Sequence, residues 1–138
     1  MHPDSILCCY RCFVRSDVGR RVVLAAPMLA FFGIAVASAI WPHKMAEGLG
    51  YRLDNVDALS EYRAIYVGLW LAHVAIFALA QRRLREAIFG DLGALLILGQ
   101  VAGRLLSLGI DGVPSRVLPI AVAELLGGLA ILFVRPQK

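Results

Sequence analysis

Charged residues are scarce in this 138-residue chain, and they are missing altogether from the stretch 22–41. Asp, Glu, Lys and Arg make up 17% of the chain, whereas 59% of it is hydrophobic. This composition excludes an ordinary soluble domain, in which about a quarter of the residues are charged. The sequence also lacks a Ser/His/Asp set, a metal triad and a nucleotide-binding motif at useful spacing. We therefore expect a non-catalytic protein without a cofactor.

Cysteine is absent after residue 12. Cys8, Cys9 and Cys12 lie close together, and without a second Cys/His cluster they are a weak metal signal, with His2 as the only other nearby ligand. Arg11 breaks the apolar stretch around them, which argues against a signal peptide. We predict that residues 1–21 form a basic, reduced cytoplasmic tail without a metal or a disulfide.

Four apolar runs follow, each close to the roughly 20 residues that cross a bilayer as a helix. The sequence therefore predicts an all-α, polytopic membrane protein with one four-helix domain over 22–135 and a short C-terminal tail, 136–138. In the first loop, 42–60, Leu49 and Leu53 begin a helical spacing that indicates a short interfacial helix. The predicted spans are about 22–41, 62–80, 87–108 and 116–134. The predicted N-caps of the second and fourth spans are Ser60 and Ser115.

Positive charge is distributed unevenly between the two sides of such a bundle. Only Lys44, Arg52 and Arg116 fall in the first and third loops. Lysine and arginine concentrate on the cytoplasmic side of membrane proteins. We expect both termini to be cytoplasmic, and we attribute the net charge of +4 to topology rather than to nucleic acid binding. The remaining positive charges, in the termini and the second loop, lie on the predicted cytoplasmic side. They are Arg11, Arg15, Arg20, Arg21, Arg82, Arg83, Arg85, Arg135 and Lys138.

Polar side chains inside the spans gather at one depth. Counting about 1.5 Å of rise per residue places Trp70, Gln100 and Glu124 at the same level of the outer leaflet, below Arg104. Charged groups inside a span are costly and indicate a functional site. We predict an outward-facing polar pocket, with Arg104 paired to Glu124. Its predicted ligand-binding residues are Arg63, Tyr66, Trp70, His73, Gln100, Arg104 and Glu124, supported by Glu61, Asp111 and Gly112.

Each of these residues also has a structural interpretation. Arg63 either pairs with Glu61 or Asp111, or extends to the membrane interface. The pair of Arg104 with Glu124 either serves a ligand or only locks two helices. His73 can be a hydrogen-bonded core residue, and the aromatic residues Tyr66 and Trp70 can be packing. Two further predictions concern the third span: Asp91 pairs with Arg82, Arg83 or Arg85, and Gly99-x-x-x-Gly103 packs against another helix, within one chain or between chains.

An ordered set of short motifs resembles a known family. The set comprises Glu61-Tyr-Arg-Ala-Ile-Tyr-Val-Gly-Leu-Trp, Gly103-Arg-Leu-Leu-Ser, Asp111-Gly-Val-Pro and Glu124 in the last span. It resembles a bacterial four-helix membrane family, the domain of unknown function four-three-four-five, over about 22–135. In general build that family is similar to DoxX-like proteins, some of which accompany membrane redox enzymes. The resemblance implies a signature of Glu61, Arg63, Tyr66, Arg104, Gly112 and Glu124, without an activity.

Three functions are compatible with these observations. The first is binding of a small anionic or amphipathic ligand, such as a lipid head group or a quinone, in the pocket. The second is a structural accessory subunit, in which the polar cluster only fixes helix packing and the lipid-facing surface binds a larger membrane complex. The third is transport, which would require an oligomer because four spans are few for a pore. We expect the lipid bilayer, and not nucleic acid, to be the surrounding partner.

Overall fold

The computed structural model describes residues 16–113 and 117–136, and within these ranges the regular structure is entirely helical. The predicted cysteine tail therefore lies largely outside the described residues, as do Ser115, Arg116 and Lys138. The helices are α1 (Asp17–Ile40), α2 (Pro42–Gly48), α3 (Val56–Arg63), a π-helical segment (Ala64–Leu69), α4 (Trp70–Arg82), α5 (Ala87–Ile110) and α6 (Leu118–Phe133).

Helix α1 begins earlier than the apolar run that predicts it. Ser16 caps its first turn, because the backbone N–H of Gly19 donates to Ser16 Oγ at 3.1 Å. Asp17 follows at the positive end of the helix dipole, which favours a carboxylate. The cap places Arg20 in the first turns of the helix rather than in a tail. At the other end Pro42 starts α2, since a proline without an N–H fits the first turn of a new helix.

The second long helix also begins before its predicted start. Asn55 caps α3, accepting a hydrogen bond at 2.8 Å from the N–H of Ala58, so the predicted cap at Ser60 is wrong. From Val56 the chain stays helical to Arg82 through α3, the π-helical segment and α4. The loop helix lies at Pro42–Gly48, so the periodic leucines that suggested it, Leu49 and Leu53, fall outside it.

Three helices among the described residues are long and apolar enough to cross a membrane: α1, the helix Val56–Arg82 and α5; α6 is apolar but shorter. Their outward surfaces carry many exposed large hydrophobic side chains, such as Leu95, Leu106 and Leu126. A soluble monomer rarely exposes so much apolar surface. The chain is therefore a membrane-embedded α-helical protein.

Neighbouring helices pack in chain order: α1 lies against α4, α4 against α5, and α5 against α6. The buried core contains Leu24, Phe77, Ile97 and Ile131, one from each of these helices. Helices α4 and α5 pack closely at Gly93, where a Cβ would lie 2.6 Å from Cε1 of Phe77. By contrast, a Cβ on either glycine of the predicted Gly99-x-x-x-Gly103 contact would meet nothing within 4 Å, so that surface is open.

Candidate functional site

The bundle closes at one end and holds a cavity at the other. Helix α1 meets the end of α6 where the guanidinium of Arg20 donates from Nη1 to the carbonyl oxygen of Val134 at 2.6 Å. Toward the opposite end a cavity of about 720 Å³ lies between the helices, and its wall takes Ile34 from α1 and Ile120 from α6. The cavity therefore lies between the first and last helices, toward the end opposite Arg20.

The cavity wall joins side chains from the loop and from every long helix. Tyr66, Trp70, Gln100 and Arg104 of the predicted site all line it. Most of the wall is nonetheless apolar. The prediction of a polar pocket therefore needs correction, because the polar groups occupy only part of an apolar surface. The remaining wall residues are Ile34, Lys44, Met45, Gly48, Leu49, Tyr51, Ile65, Leu69, Gly103, Ser107, Val117 and Ile120.

A bidentate ion pair between Arg104 and Glu124 fixes the charged part of this wall. Arg104 donates from Nε to one carboxylate oxygen of Glu124 at 2.8 Å, and from Nη2 to the other at 3.0 Å. The Arg104 side chain is 29% exposed and Glu124 only 10%, and only the arginine lines the cavity. A guanidinium has five N–H donors, so three remain for a ligand or for water. The pairing that the depth count indicates is present, and it leaves the cavity open.

His73 lies behind the cavity wall instead of in it. It is 1% exposed, and its Nδ1 lies 2.7 Å from the carbonyl oxygen of Leu69. A carbonyl only accepts, so Nδ1 carries the hydrogen. His73 Nε2 then accepts from the side-chain amide of Gln100 at 3.4 Å. The histidine therefore orients Gln100, and Gln100 is the group that a molecule in the cavity would meet.

Aromatic rings form the wall nearest the loop. Tyr66 stacks on Tyr62 with ring centroids 4.5 Å apart, and contacts Trp70 at 5.3 Å and Tyr51 at 6.1 Å. The hydroxyl of Tyr66 also donates to that of Tyr51 at 3.3 Å. Tyr62 is buried, with its hydroxyl 3.3 Å from Ser38 Oγ. These contacts fix two of the predicted residues, Tyr66 and Trp70, in a packed cluster of which one face borders the cavity.

The structure does not place Arg63 in the site. Its side chain is exposed and does not line the cavity, and the described residues provide no ion pair for it. The cause is the π-helical segment that begins at Ala64. Its wider turns change the rotation per residue. As a result Tyr62 faces inward where an uninterrupted α-helix would bring Arg63 closer to the stripe of Tyr66 and Trp70.

The supporting residues also lie apart from the cavity. Glu61 is exposed. Asp111 accepts a hydrogen bond from Ser107 Oγ at 2.7 Å, and among the described residues neither Glu61 nor Asp111 forms an ion pair with Arg63. Gly112 adopts a φ of +97°, a left-handed conformation that favours glycine in the turn after α5.

At the closed end the predicted partner of Asp91 is also wrong. Arg135 donates from Nη2 to an Asp91 oxygen at 2.7 Å, whereas Arg83 pairs with Glu86 at 3.4 Å. Asp91 belongs to α5 and Arg135 follows α6. This second ion pair therefore joins the same two helices as the pair of Arg104 with Glu124, at their opposite end.

Sequence reasoning missed two polar wall residues and one buried charge. Lys44 and Tyr51 line the cavity, as does Ser107, which lies three residues after Arg104 on the same helical face. Arg20 was assigned only to topology, yet it is 4% exposed and its Nε has no hydrogen-bond partner among the described residues. The described residues also contain no cluster of three His, Cys, Asp or Glu side chains that would hold a metal ion.

Comparison with known proteins adds one match. The family model described as "Domain of unknown function (DUF4345)" matches residues 20–135. No curated protein and no solved structure matched the chain. The match begins at Arg20 and ends at Arg135, so it includes both ion pairs, the cavity and the buried arginine. It covers most of the chain, and the protein therefore belongs to the DUF4345 family.

Proposed function

We propose that this protein binds a small anionic or amphipathic ligand, a lipid head group or a quinone, in the cavity, and that it has no catalytic activity. The observation that carries the proposal is the position of Arg104. Its guanidinium lines an otherwise largely apolar cavity and keeps three donors beyond those that bind Glu124. Ligand pockets usually combine apolar walls with a few convergent polar groups, as this one does.

Each polar wall residue has a distinct part in the proposal. Arg104 and Lys44 supply positive charge toward an anionic head group or a polarised carbonyl. Gln100 offers its amide one helical turn from Arg104 on the same helix, held by His73. Tyr66 and Trp70 pack against the ring of a quinone or against the first part of a lipid's acyl chain. Glu124 holds Arg104 in place without reaching the cavity.

The membrane setting is part of the proposal: a bacterial inner membrane, four spans and both termini in the cytoplasm. The arginine-rich closed end supports it, because Arg21, Arg82, Arg83, Arg85 and Arg135 lie there. Helix α6 has 16 residues, which at about 1.5 Å per residue gives about 24 Å. That is short of a full hydrocarbon core, and local thinning of the bilayer accommodates such a mismatch.

The test measures ligand retention. The full-length protein is purified in a mild uncharged detergent, and its co-purified small molecules are extracted and analysed by mass spectrometry. A short-chain quinone and a lysophospholipid are then titrated separately against the thermal unfolding midpoint. A ligand at about 100 times its Kd stabilises the folded state by about 2.7 kcal/mol. We expect one of the two probes to raise the midpoint in a saturable manner.

The decisive variant is R104L/E124L, because it removes the guanidinium without leaving a buried carboxylate unpaired. The matched control is D91L/R135L, which removes the other ion pair between the same helices, away from the cavity. We expect the first variant to fold and to lose the probe response, and the control to keep it. The proposal is wrong if neither probe stabilises the parent protein, or if both variants respond as the parent does.

A second function, accessory subunit of a larger membrane complex, is supported by the open surface at Gly99. This glycine is exposed on α5, and a Cβ there would contact nothing within 4 Å. Small residues on a lipid-facing surface allow another helix to approach closely. Extraction in mild detergent followed by size analysis tests it. A specific partner or a second copy lost in Gly99→Leu supports this function, whereas recovery of only a monomer argues against it.

A further inference from the structure

A second cavity lies at the closed end of the bundle, and we propose that it binds the phosphate of an anionic phospholipid. Its volume is about 360 Å³, and it is lined by the first turns of α1, the end of α4 and the turn before α5. This site is separate from the larger cavity and does not depend on the function proposed for it. The lining residues are Asp17, Arg21, Arg82, Arg83, Leu84, Arg85 and Glu86.

The charges of this second cavity do not cancel. Arg83 is occupied, because it pairs with Glu86 at 3.4 Å and lies over the ring of Phe89 at 5.6 Å. Arg82 and Arg85 are exposed, and no carboxylate among the described residues forms an ion pair with either. Two guanidinium groups therefore face the cavity with their donors available, and planar guanidinium groups bind phosphate with paired hydrogen bonds.

The backbone around these arginines is fixed. Leu84, between Arg83 and Arg85, is 8% exposed and belongs to the buried core. Arg21 and Gln81 exchange two hydrogen bonds that join α1 to α4: Gln81 Nε2 donates to the Arg21 carbonyl at 2.6 Å, and Arg21 Nη1 donates to the Gln81 carbonyl at 3.5 Å. A positively charged site held in this way requires little ordering when an anion binds.

The remaining acidic residue of the lining is outnumbered by arginines. Asp17 lies in the first turn of α1, at the positive end of the helix dipole. With Glu86 bound to Arg83, the lining retains more positive than negative charge: Arg21, Arg82 and Arg85 against Asp17. The site therefore has the net sign that a phosphodiester requires.

Exposed apolar side chains next to the cavity favour a lipid over a soluble anion. Val18 and Val22 on α1 are 58% and 62% exposed, and Ile88 at the start of α5 is 55% exposed. Acyl chains can lie against these residues while the phosphate stays at the arginines. The position of the second cavity also suits a lipid, because the apolar helix α1 begins here and α4 ends here, at the level of the lipid head groups. Basic pockets between membrane helices commonly bind acidic lipid head groups.

The experiment titrates phosphatidylglycerol into the full-length protein in an uncharged detergent and follows the thermal unfolding midpoint. Phosphatidylcholine and inorganic phosphate are titrated in parallel. We expect saturable stabilisation by phosphatidylglycerol and little by the other two. In R82Q/R85Q the half-saturating concentration should rise about fivefold for each arginine removed. In R52Q/R63Q, which removes two exposed arginines from the opposite end, it should stay unchanged.

Three results would overturn the proposal. Equal stabilisation by phosphatidylglycerol and phosphatidylcholine means that the phosphate site does not select acidic lipids. Equal stabilisation by inorganic phosphate assigns the cavity to a free anion. Equal weakening in the two double variants assigns the effect to net charge instead of this cavity. If R82Q/R85Q fails to fold, R82K/R85K replaces it: retained charge without the paired donors should still bind, but more weakly than the parent.

Discussion

The ion pair between Arg104 and Glu124 predicts an asymmetric response to single substitutions. Both side chains belong to the same two-point contact, so a simple view assigns equal cost to the loss of either. Their surroundings differ. The Glu124 side chain is 10% exposed and lies behind the wall, whereas Arg104 is 29% exposed and lines the cavity. We expect Arg104→Ala to destabilise the protein more than Glu124→Ala.

The magnitudes follow from what each substitution leaves behind. Arg104→Ala leaves a buried carboxylate without its partner, which costs about 3–5 kcal/mol. Glu124→Ala leaves a guanidinium that can still be hydrated from the cavity, so the cost is that of the lost charged hydrogen bonds, about 1.5–3 kcal/mol. R104L/E124L removes both charges and keeps apolar volume, and should lie within about 1 kcal/mol of the parent.

Equilibrium unfolding in mixed micelles of SDS and an uncharged detergent measures these differences. D91L/R135L is the control, because that ion pair joins the same helices but is more exposed, with the Arg135 side chain 58% and the Asp91 side chain 29% exposed. Such a pair contributes about 0–1 kcal/mol. If Glu124→Ala is the more damaging single substitution, the burial argument is wrong. It is equally wrong if the single substitutions cost no more than the control.

Four further substitutions test individual contacts by the same unfolding measurement. Gly93→Ala places a Cβ 2.6 Å from a Phe77 ring carbon and should cost about 1–3 kcal/mol, whereas Gly99→Ala meets nothing and should be neutral or stabilising by up to about 1 kcal/mol. Tyr62→Phe loses a buried hydroxyl contact and should cost about 0.5–1.5 kcal/mol. Asn55→Ala removes the cap of α3 and should cost about 1 kcal/mol. Equal effects of the two glycine substitutions would contradict the close contact at Gly93. An Asn55→Ala variant as stable as the parent would contradict the cap of α3.

Depth along the membrane was the most predictable property of the site. The rise per residue of a helix is nearly constant, so counting residues places side chains of different helices at one level. That count correctly indicates that Arg104 meets Glu124, and that Gln100 and Trp70 lie at one cavity. The function of these residues stays a prediction, because their position in the wall is compatible with packing as well as with binding.

Rotation about the helix axis was less predictable, and Arg63 shows why. The π-helical segment from Ala64 to Leu69 changes the angle between Tyr62 and the residues that follow it. Nothing in the apolar pattern distinguishes this segment from an α-helix, since its residues suit both. One altered turn is enough to bury Tyr62 and to leave the adjacent Arg63 exposed.

Partners at helix ends were unpredictable for a different reason. Asp91 is near several arginines in sequence, but its partner Arg135 comes from the end of another helix. The sequence around Arg20 suggests that it is only a topology signal, yet the fold buries it against Val134. Long side chains at a helix end reach groups that only the three-dimensional arrangement brings together, so sequence separation has no bearing on the pairing.

The burial of Arg20 also accounts for the site of the larger cavity. The hydrogen bond of Arg20 to Val134 joins α1 to α6 at the closed end, and Gly90 leaves the room that the guanidinium needs, because a Cβ there would lie 3.0 Å from Nη2. Packing against α5, together with two ion pairs, holds α6 along α5. The hydrogen bond of Arg20 therefore joins the first and last helices at the closed end, and the cavity that Arg104 lines lies between them toward the other end.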